Sequence, residues 1–214
     1  MLLQNLNYLV FKIEIFDKKN REIMLCLKCD SNPEWIIAAK NNLIDVIKDH
    51  AHCEKKAAVT GMNLINNYPD KTDLLFEMAD LIEEEIDHFR SVLKILEDRE
   101  ETLGEDKKDN YAQKLFGRLR KTQPERFLDH LLVAGIVEAR SCERLQILAD
   151  NLDDEKLKVF YTELVKSEAG HYMAFVKLAK KYFDENEVKV RLNELTDIEA
   201  DIVKLLPNEP TMHG

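Results

Sequence analysis

From Pro33 onward, apolar residues return every three to four positions in long runs, the period of a helix that buries one face. Asn32-Pro33-Glu34 reads as a helix start, with a capping Asn, Pro at the first helical position and an acid in the first turn. A first long helix is predicted over about 33–66, stopped by the turn cluster Asn66-Asn67-Tyr68-Pro69-Asp70. A second runs over about 72–103 and ends before Gly104. A polar linker then leads to a shorter helix over about 111–121. Pro124 opens a third long helix, to about Asn151, and Asp153 can cap a fourth that continues to about Phe183. A last helix covers about 188–205. Short connections make the first and second long helices, and the third and fourth, antiparallel hairpins, while a long crossover with its own short helix joins the two pairs. The expected fold is all-α: a four-helix bundle with a C-terminal helix over residues 32–206. Residues 1–31 form an N-terminal extension read as a short hairpin. Residues 207–214 form a tail that is loose or docked on the surface.

Composition narrows this picture little. The 214 residues are 45% apolar and 34% charged, the balance of one globular domain, and six Gly and five Pro suit long helices. The apolar stretches near the start are too short to span a bilayer. Glu14 and Asp17 interrupt any signal-peptide core, and no basic segment precedes it. The expectation is a cytoplasmic protein without a membrane partner. Four cysteines agree with that compartment: Cys26 and Cys29 are a lone C-x-x-C with no second pair to complete a zinc site, and Cys53 and Cys142 lie far apart in helices. A net charge of −10 gives no general footprint for nucleic acid, so any such role needs a local basic patch.

The chemistry lies where the apolar stripes are broken. The first long helix has Leu43, Ile47, Ala51, Glu54, Ala58 and Met62 on one face; the second has Leu81, Glu85, His88, Val92 and Leu96. The third has Leu131, Gly135, Glu138, Cys142 and Leu145; the fourth has Leu164, Glu168, His171, Phe175 and Leu178. Burying an unpaired charge costs several kcal/mol on the order-of-magnitude scale. Six such groups at mid-length call for a common partner, and a pair of divalent metal ions suits carboxylates and imidazoles. Glu85 and His88, and Glu168 and His171, are E-x-x-H pairs that share a helix face. Glu54 maps to Glu138, Glu85 to Glu168 and His88 to His171 with offsets of 84, 83 and 83 residues, a repeat of one helix hairpin. One Glu from each of two helices and a Glu-x-x-His from each of the other two is the pattern of ferritin-like di-iron and di-manganese bundles.

The remaining ionisable groups read as ordinary. Glu83, Glu84 and Asp87 flank the stripe and are expected in solvent or in salt bridges; Glu143 points away from Glu138. His50, four residues before Glu54, could face the site beside the ligands, but a surface or boundary position is the stronger expectation. Asp49 is a candidate to orient a ligand histidine through its second nitrogen. No Ser-His-Asp arrangement, phosphate-binding glycine loop or zinc-protease signature is visible.

Three strings make the resemblance closer than a fold: Asp49-His50-Ala51-His52-Cys53-Glu54-Lys55-Lys56-Ala57-Ala58, Glu138-Ala139-Arg140-Ser141-Cys142-Glu143-Arg144 and Ser167-Glu168-Ala169-Gly170-His171-Tyr172. From about Pro33 to Leu206 the chain resembles the tRNA hydroxylases of the MiaE type. That resemblance implies a non-haem di-iron centre held by the six residues, with O2 as co-substrate. It also implies hydroxylation of the isopentenyl group of a 2-methylthio-isopentenyl-adenosine in tRNA, and a ferredoxin-like electron donor. Ligand type alone does not separate iron from manganese. Lys114, Arg118, Arg120, Lys121 and Arg126 are the candidate tRNA contacts in and after the crossover helix, or else a solvated basic face. A monomer or a dimer is expected. The alternative is a ferritin-like or rubrerythrin-like iron oxidase or peroxidase without an RNA substrate. A shell-forming ferritin fits poorly with the extra helices, and a rubrerythrin would bring a second C-x-x-C pair.

Overall fold

The computed structural model describes residues 25–214, and all regular structure among them is helical. Seven helices follow in order: α1 (Glu34–Asn41), α2 (Leu43–Asn67), α3 (Thr72–Glu97), α4 (Asn110–Phe116), α5 (Glu125–Asn151), α6 (Glu155–Tyr182) and α7 (Glu185–Lys204). The main packing is α2 against α3 and α5 against α6, so the two expected hairpins form the bundle and α4 lies in the crossover between them. No helix among the described residues is long and apolar enough to cross a membrane. The hairpin expected within residues 1–31 falls mostly outside the described residues. Its end, 25–31, is a turn and irregular chain.

Several boundaries differ from the sequence reading. The first long helix is broken at Asn42 (φ −135°, ψ 45°), whose amide side chain instead donates to the Ala38 carbonyl. The second ends at Glu97, and Glu100 (φ 58°) and Gly104 (φ 73°) turn the chain away through left-handed backbone. The crossover helix stops at Phe116, before Gly117, and excludes Arg118, Arg120 and Lys121. Asp154, not Asp153, caps α6 by accepting from the Lys156 and Leu157 amides. Met62, placed on the buried stripe, is exposed, and Gly61 and Leu64 take the buried positions. Both hairpins pack closely at a glycine: a Cβ at Gly61 on α2 would lie 2.9 Å from Ile82 Cγ1 on α3, and one at Gly135 on α5 would lie 3.2 Å from the Phe175 Cβ on α6.

The helix α5 is buried on nearly every side, which explains why its central string is so unusual in composition. Arg140 is fully buried and donates to Glu199 on α7 (2.8 Å), to Glu143 (2.7 Å) and to the Cys29 carbonyl (3.0 Å). Ser31 closes this network on Glu143 through both its amide and its hydroxyl. Arg144 stacks its guanidinium 4.1 Å over the Trp35 ring, and Trp35 donates its indole N–H to the Thr211 carbonyl (2.9 Å). The tail is therefore docked. The Met212 amide donates to Asp49 (2.7 Å), and both Met212 and His213 are buried.

Candidate metal centre

The amphipathic phase of the four long helices brings all six singled-out residues to one place. Glu54, Glu85, Glu138, Glu168 and His171 are buried and His88 is half-buried. Their side-chain donor atoms fall into two groups, each with all atoms within 4.8 Å of one another. One group is Glu54, Glu85, His88 and Glu168; the other is Glu85, Glu138, Glu168 and His171. Glu85 and Glu168 belong to both, and the hairpin repeat exchanges one group for the other. His88 Nδ1 lies 3.6–3.7 Å from oxygens of Glu54, Glu85 and Glu168. His171 Nδ1 lies 2.9 Å from Glu85 and 3.5 Å from Glu168.

These close approaches are not hydrogen bonds. Both Glu85 oxygens, Glu168 Oε1 and the Nδ1 atoms of His88 and His171 are buried without a hydrogen-bond partner among the described residues. Buried polar atoms are otherwise satisfied almost everywhere in folded proteins. Such a set, convergent and unsatisfied, fits two cations coordinated by oxygen and nitrogen. The electrostatics agree. Burial, then the charges of Glu168 and Glu54, push the Glu85 carboxyl up to about 8. Burial and the same crowding of carboxylates drive Glu138 well above its ordinary range. Burial would lower His88, but Glu54 and Glu85 outweigh it and raise the imidazole to about 10. Without cations this cluster must hold protons instead.

One partner of the site, His50, was misplaced by the sequence reading, and Asp49 does not take the role suggested for it. Glu84, expected in solvent or in a salt bridge, is exposed and bridged: it accepts from Ser167 (3.1 Å) and lies 3.2 Å from His171 Nε2, leaving Nδ1 to face the cluster. Its carboxyl is held at about 2, because the His171 contact outweighs burial. Asp49 does not orient a histidine of the cluster; its carboxylate is taken by the Met212 amide and the Cys53 thiol. His50 is buried, not at the boundary, and its Nε2 lies 2.5 Å from Glu54 Oε1. The signal for His50 was its spacing of four from Glu54. The signal for Glu84 was weaker: under the hairpin repeat it corresponds to Ser167, the residue it touches.

A cleft of about 630 Å³, part of it open to solvent, reaches this cluster. Glu54, Glu138 and Glu168 line its inner end, and Ala57, Phe116, Val137 and Met212 supply much of its wall. The structure divides the basic candidates. Arg120 is not available to a phosphate, since with Arg191 it pairs with the buried Asp129 (2.8 Å each). Lys114, Arg118, Lys121 and Arg126 are exposed.

A family model described as tRNA-(MS[2]IO[6]A)-hydroxylase (MiaE) matches residues 18–214. The chain belongs to the MiaE family. A tRNA 2-(methylsulfanyl)-N(6)-isopentenyladenosine(37) hydroxylase of Pseudomonas putida is 35% identical, over 90% of this chain and 94% of that relative. The enzyme of the same name from Salmonella typhimurium is 28% identical, over 88% of this chain and 87% of that relative. Among solved structures, a Synechococcus protein with aldehyde deformylating oxygenase activity superposes with a TM-score of 0.85 at 31% identity. That match covers 89% of this chain and 96% of the neighbour. The MiaE fold is therefore ferritin-like, and its carboxylate and histidine groups suit iron.

Proposed function

We propose that this chain hydroxylates the isopentenyl group of 2-methylthio-isopentenyl-adenosine in tRNA, using O2 and two irons held by Glu54, Glu85, His88, Glu138, Glu168 and His171. The observation that carries the reading is the meeting of two four-residue groups, sharing Glu85 and Glu168, at the inner end of a largely apolar cleft. When bound, the iron pair supplies O2 activation and takes electrons from a donor of the ferredoxin kind. The protein's own side chains do the rest. Glu84 fixes the ring of His171, and His50 holds Glu54 by its outer oxygen. Ala57, Val137 and Phe116 give the prenyl chain a dry seat beside the cluster. Lys114, Arg118, Lys121 and Arg126 contact tRNA phosphates, and Arg120 instead braces the loop that carries Arg118 and Lys121.

The reading is tested by nucleoside analysis of tRNA from cells with and without the gene. The hydroxylated nucleoside is expected to vanish on deletion, with its unhydroxylated precursor accumulating. An unchanged hydroxylated pool, with precursor present, overturns it. An iron oxidase or peroxidase without an RNA substrate is not favoured, since both relatives above are named as tRNA hydroxylases.

A further inference from the structure

The cleft has one polar wall that the metal cluster does not use. Ser141 stands on α5 one turn beyond Glu138, and its Oγ lies 3.2 Å from His213 Nε2. On the other side of that ring, His213 Nδ1 lies 2.9 Å from Asp109 Oδ2. Three separate elements thus supply a Ser-His-Asp chain, although no sequence motif announced one: α5, the crossover and the docked tail. All three residues line the cleft that reaches Glu54, Glu138 and Glu168.

Asp109 is fixed before it meets the histidine, because it caps α4 by accepting from the Ala112 amide (2.8 Å). Burial opposes its ionisation, but His213 and this amide outweigh burial and hold the carboxyl at about 2. An ionised Asp109 accepts from Nδ1–H of His213, which leaves Nε2 to face Ser141. In the neutral ring, Nε2 accepts the Ser141 hydroxyl. In the protonated ring, Nε2–H donates to Ser141 Oγ, and the hydroxyl proton is free to point into the cleft. Around the ring stand Tyr111 (centroids 4.9 Å apart) and Cys53, with Lys56 on the same cleft and Asp49 holding the neighbouring Met212 amide.

Two other uses of these groups fit less well. Ser141 lies within α5, so its backbone N–H is committed to the helix and no oxyanion donor adjoins it, as acyl transfer would require. Cys53, Asp109 and His213 bring donor atoms within 4.8 Å of one another, as a metal site would. Both ring nitrogens of His213 are already engaged, however, and Lys56 stands beside the group.

We propose that Asp109, His213 and Ser141 form a proton relay that feeds the cleft during hydroxylation. This rests on the hydroxylase reading above. Insertion of one oxygen atom into a C–H bond consumes one O2, two electrons from the donor and two protons, and releases one water. The relay delivers one of those protons. The Nε2–H bond of protonated His213 breaks as Ser141 Oγ takes that proton, while Ser141 passes its own hydroxyl proton toward the O2-derived oxygen that leaves as water. His213 is left neutral with Nδ1–H on Asp109, Ser141 is unchanged, and the ring reloads at Nε2 from water when the cleft is open. Ser141 is the delivering group; His213 and Asp109 act through it.

The test compares the wild type with Ser141→Ala, His213→Gln and Asp109→Asn as full-length, iron-loaded proteins on prenylated tRNA. Ser141→Ala leaves the His213–Asp109 bond that docks the tail, and Asp109→Asn keeps the cap of α4 while removing the charge. Iron content and tRNA affinity are expected unchanged. Values of kcat should fall about 100-fold or more, in the range for lost general acid–base assistance, with an enlarged solvent deuterium isotope effect. Added imidazoles should restore a His213→Gly variant in proportion to their basicity. Independently of turnover, nitrogen NMR of the iron-free protein should show hydrogen fixed on Nδ1 of His213, and Asp109→Asn should release it to a mixture of tautomers. Wild-type kcat in Ser141→Ala, a loss confined to KM, or hydrogen on Nε2 would overturn the relay alone. So would one tightly held zinc per chain, beside the two irons, that Cys53→Ser removes. A wild type inactive on prenylated tRNA would overturn the hydroxylase reading and the relay with it.

Discussion

Glu84 sits one residue outside the apolar phase of its helix, and phase was the instrument that found the other six. Periodicity reports which face is buried and says nothing of a long side chain that reaches round the edge, as Glu84 does to His171. His50 was in phase, and its spacing of four from Glu54 allowed it to face the site, but without a second signal their contact was only half legible. The proposed ligands themselves were legible because a buried charge is costly enough to need a reason. Glu138→Ala and His171→Ala are each expected to abolish stoichiometric iron binding, measured by elemental analysis of purified protein. Glu84→Gln should weaken iron affinity about 10–100-fold, the usual effect of losing a group that orients a ligand histidine, while leaving the fold intact. His130 offers a test without metal. Burial, then the charge of Arg126, lowers its imidazole to about 4. The unfolded chain takes up that proton near its ordinary 6.5, and the folded chain does so only near 4. Stability is therefore full above the upper value and falls as pH drops through this window. Urea denaturation across it should show a shallower fall for His130→Phe, which keeps the ring against Phe116 and removes the proton site.

At the scale of elements, the two hairpins and their repeat could be read directly, because each long helix keeps one apolar face throughout. Breaks and ends could not. At Asn42 the apolar spacing continues on both sides, and only the competing side-chain bond to Ala38 reveals why the helix stops. The close approach of α5 and α6 at Gly135 lets a Cβ in only if Phe175 shifts, and leaves little space for a branched side chain. Gly135→Leu should destabilise the protein by about 1–3 kcal/mol, as overpacking does. Arg140→Met should cost more, about 3–5 kcal/mol, because it leaves the buried Glu199 charge with only the Tyr111 hydroxyl. Thermal and chemical denaturation of the two variants against the wild type would show this order; equal stabilities would contradict it.

For the whole molecule, a net charge of −10 and a tRNA substrate are reconciled only if the contact is local. Reversing Lys114, Arg118, Lys121 and Arg126 to Glu should weaken tRNA binding. The slope of log affinity against log salt should become less steep by about 3–4, near one per lost phosphate contact. The tail carries the last consequence. Asp49 and Met212 meet although 163 residues separate them, and Met212 and His213 close the cleft wall. The proposed iron ligands are complete at His171, whereas the cleft wall also needs residues 212 and 213. A chain cut after residue 206 is therefore expected to keep the proposed iron ligands and lose the cleft wall, which iron content and turnover on prenylated tRNA would report separately.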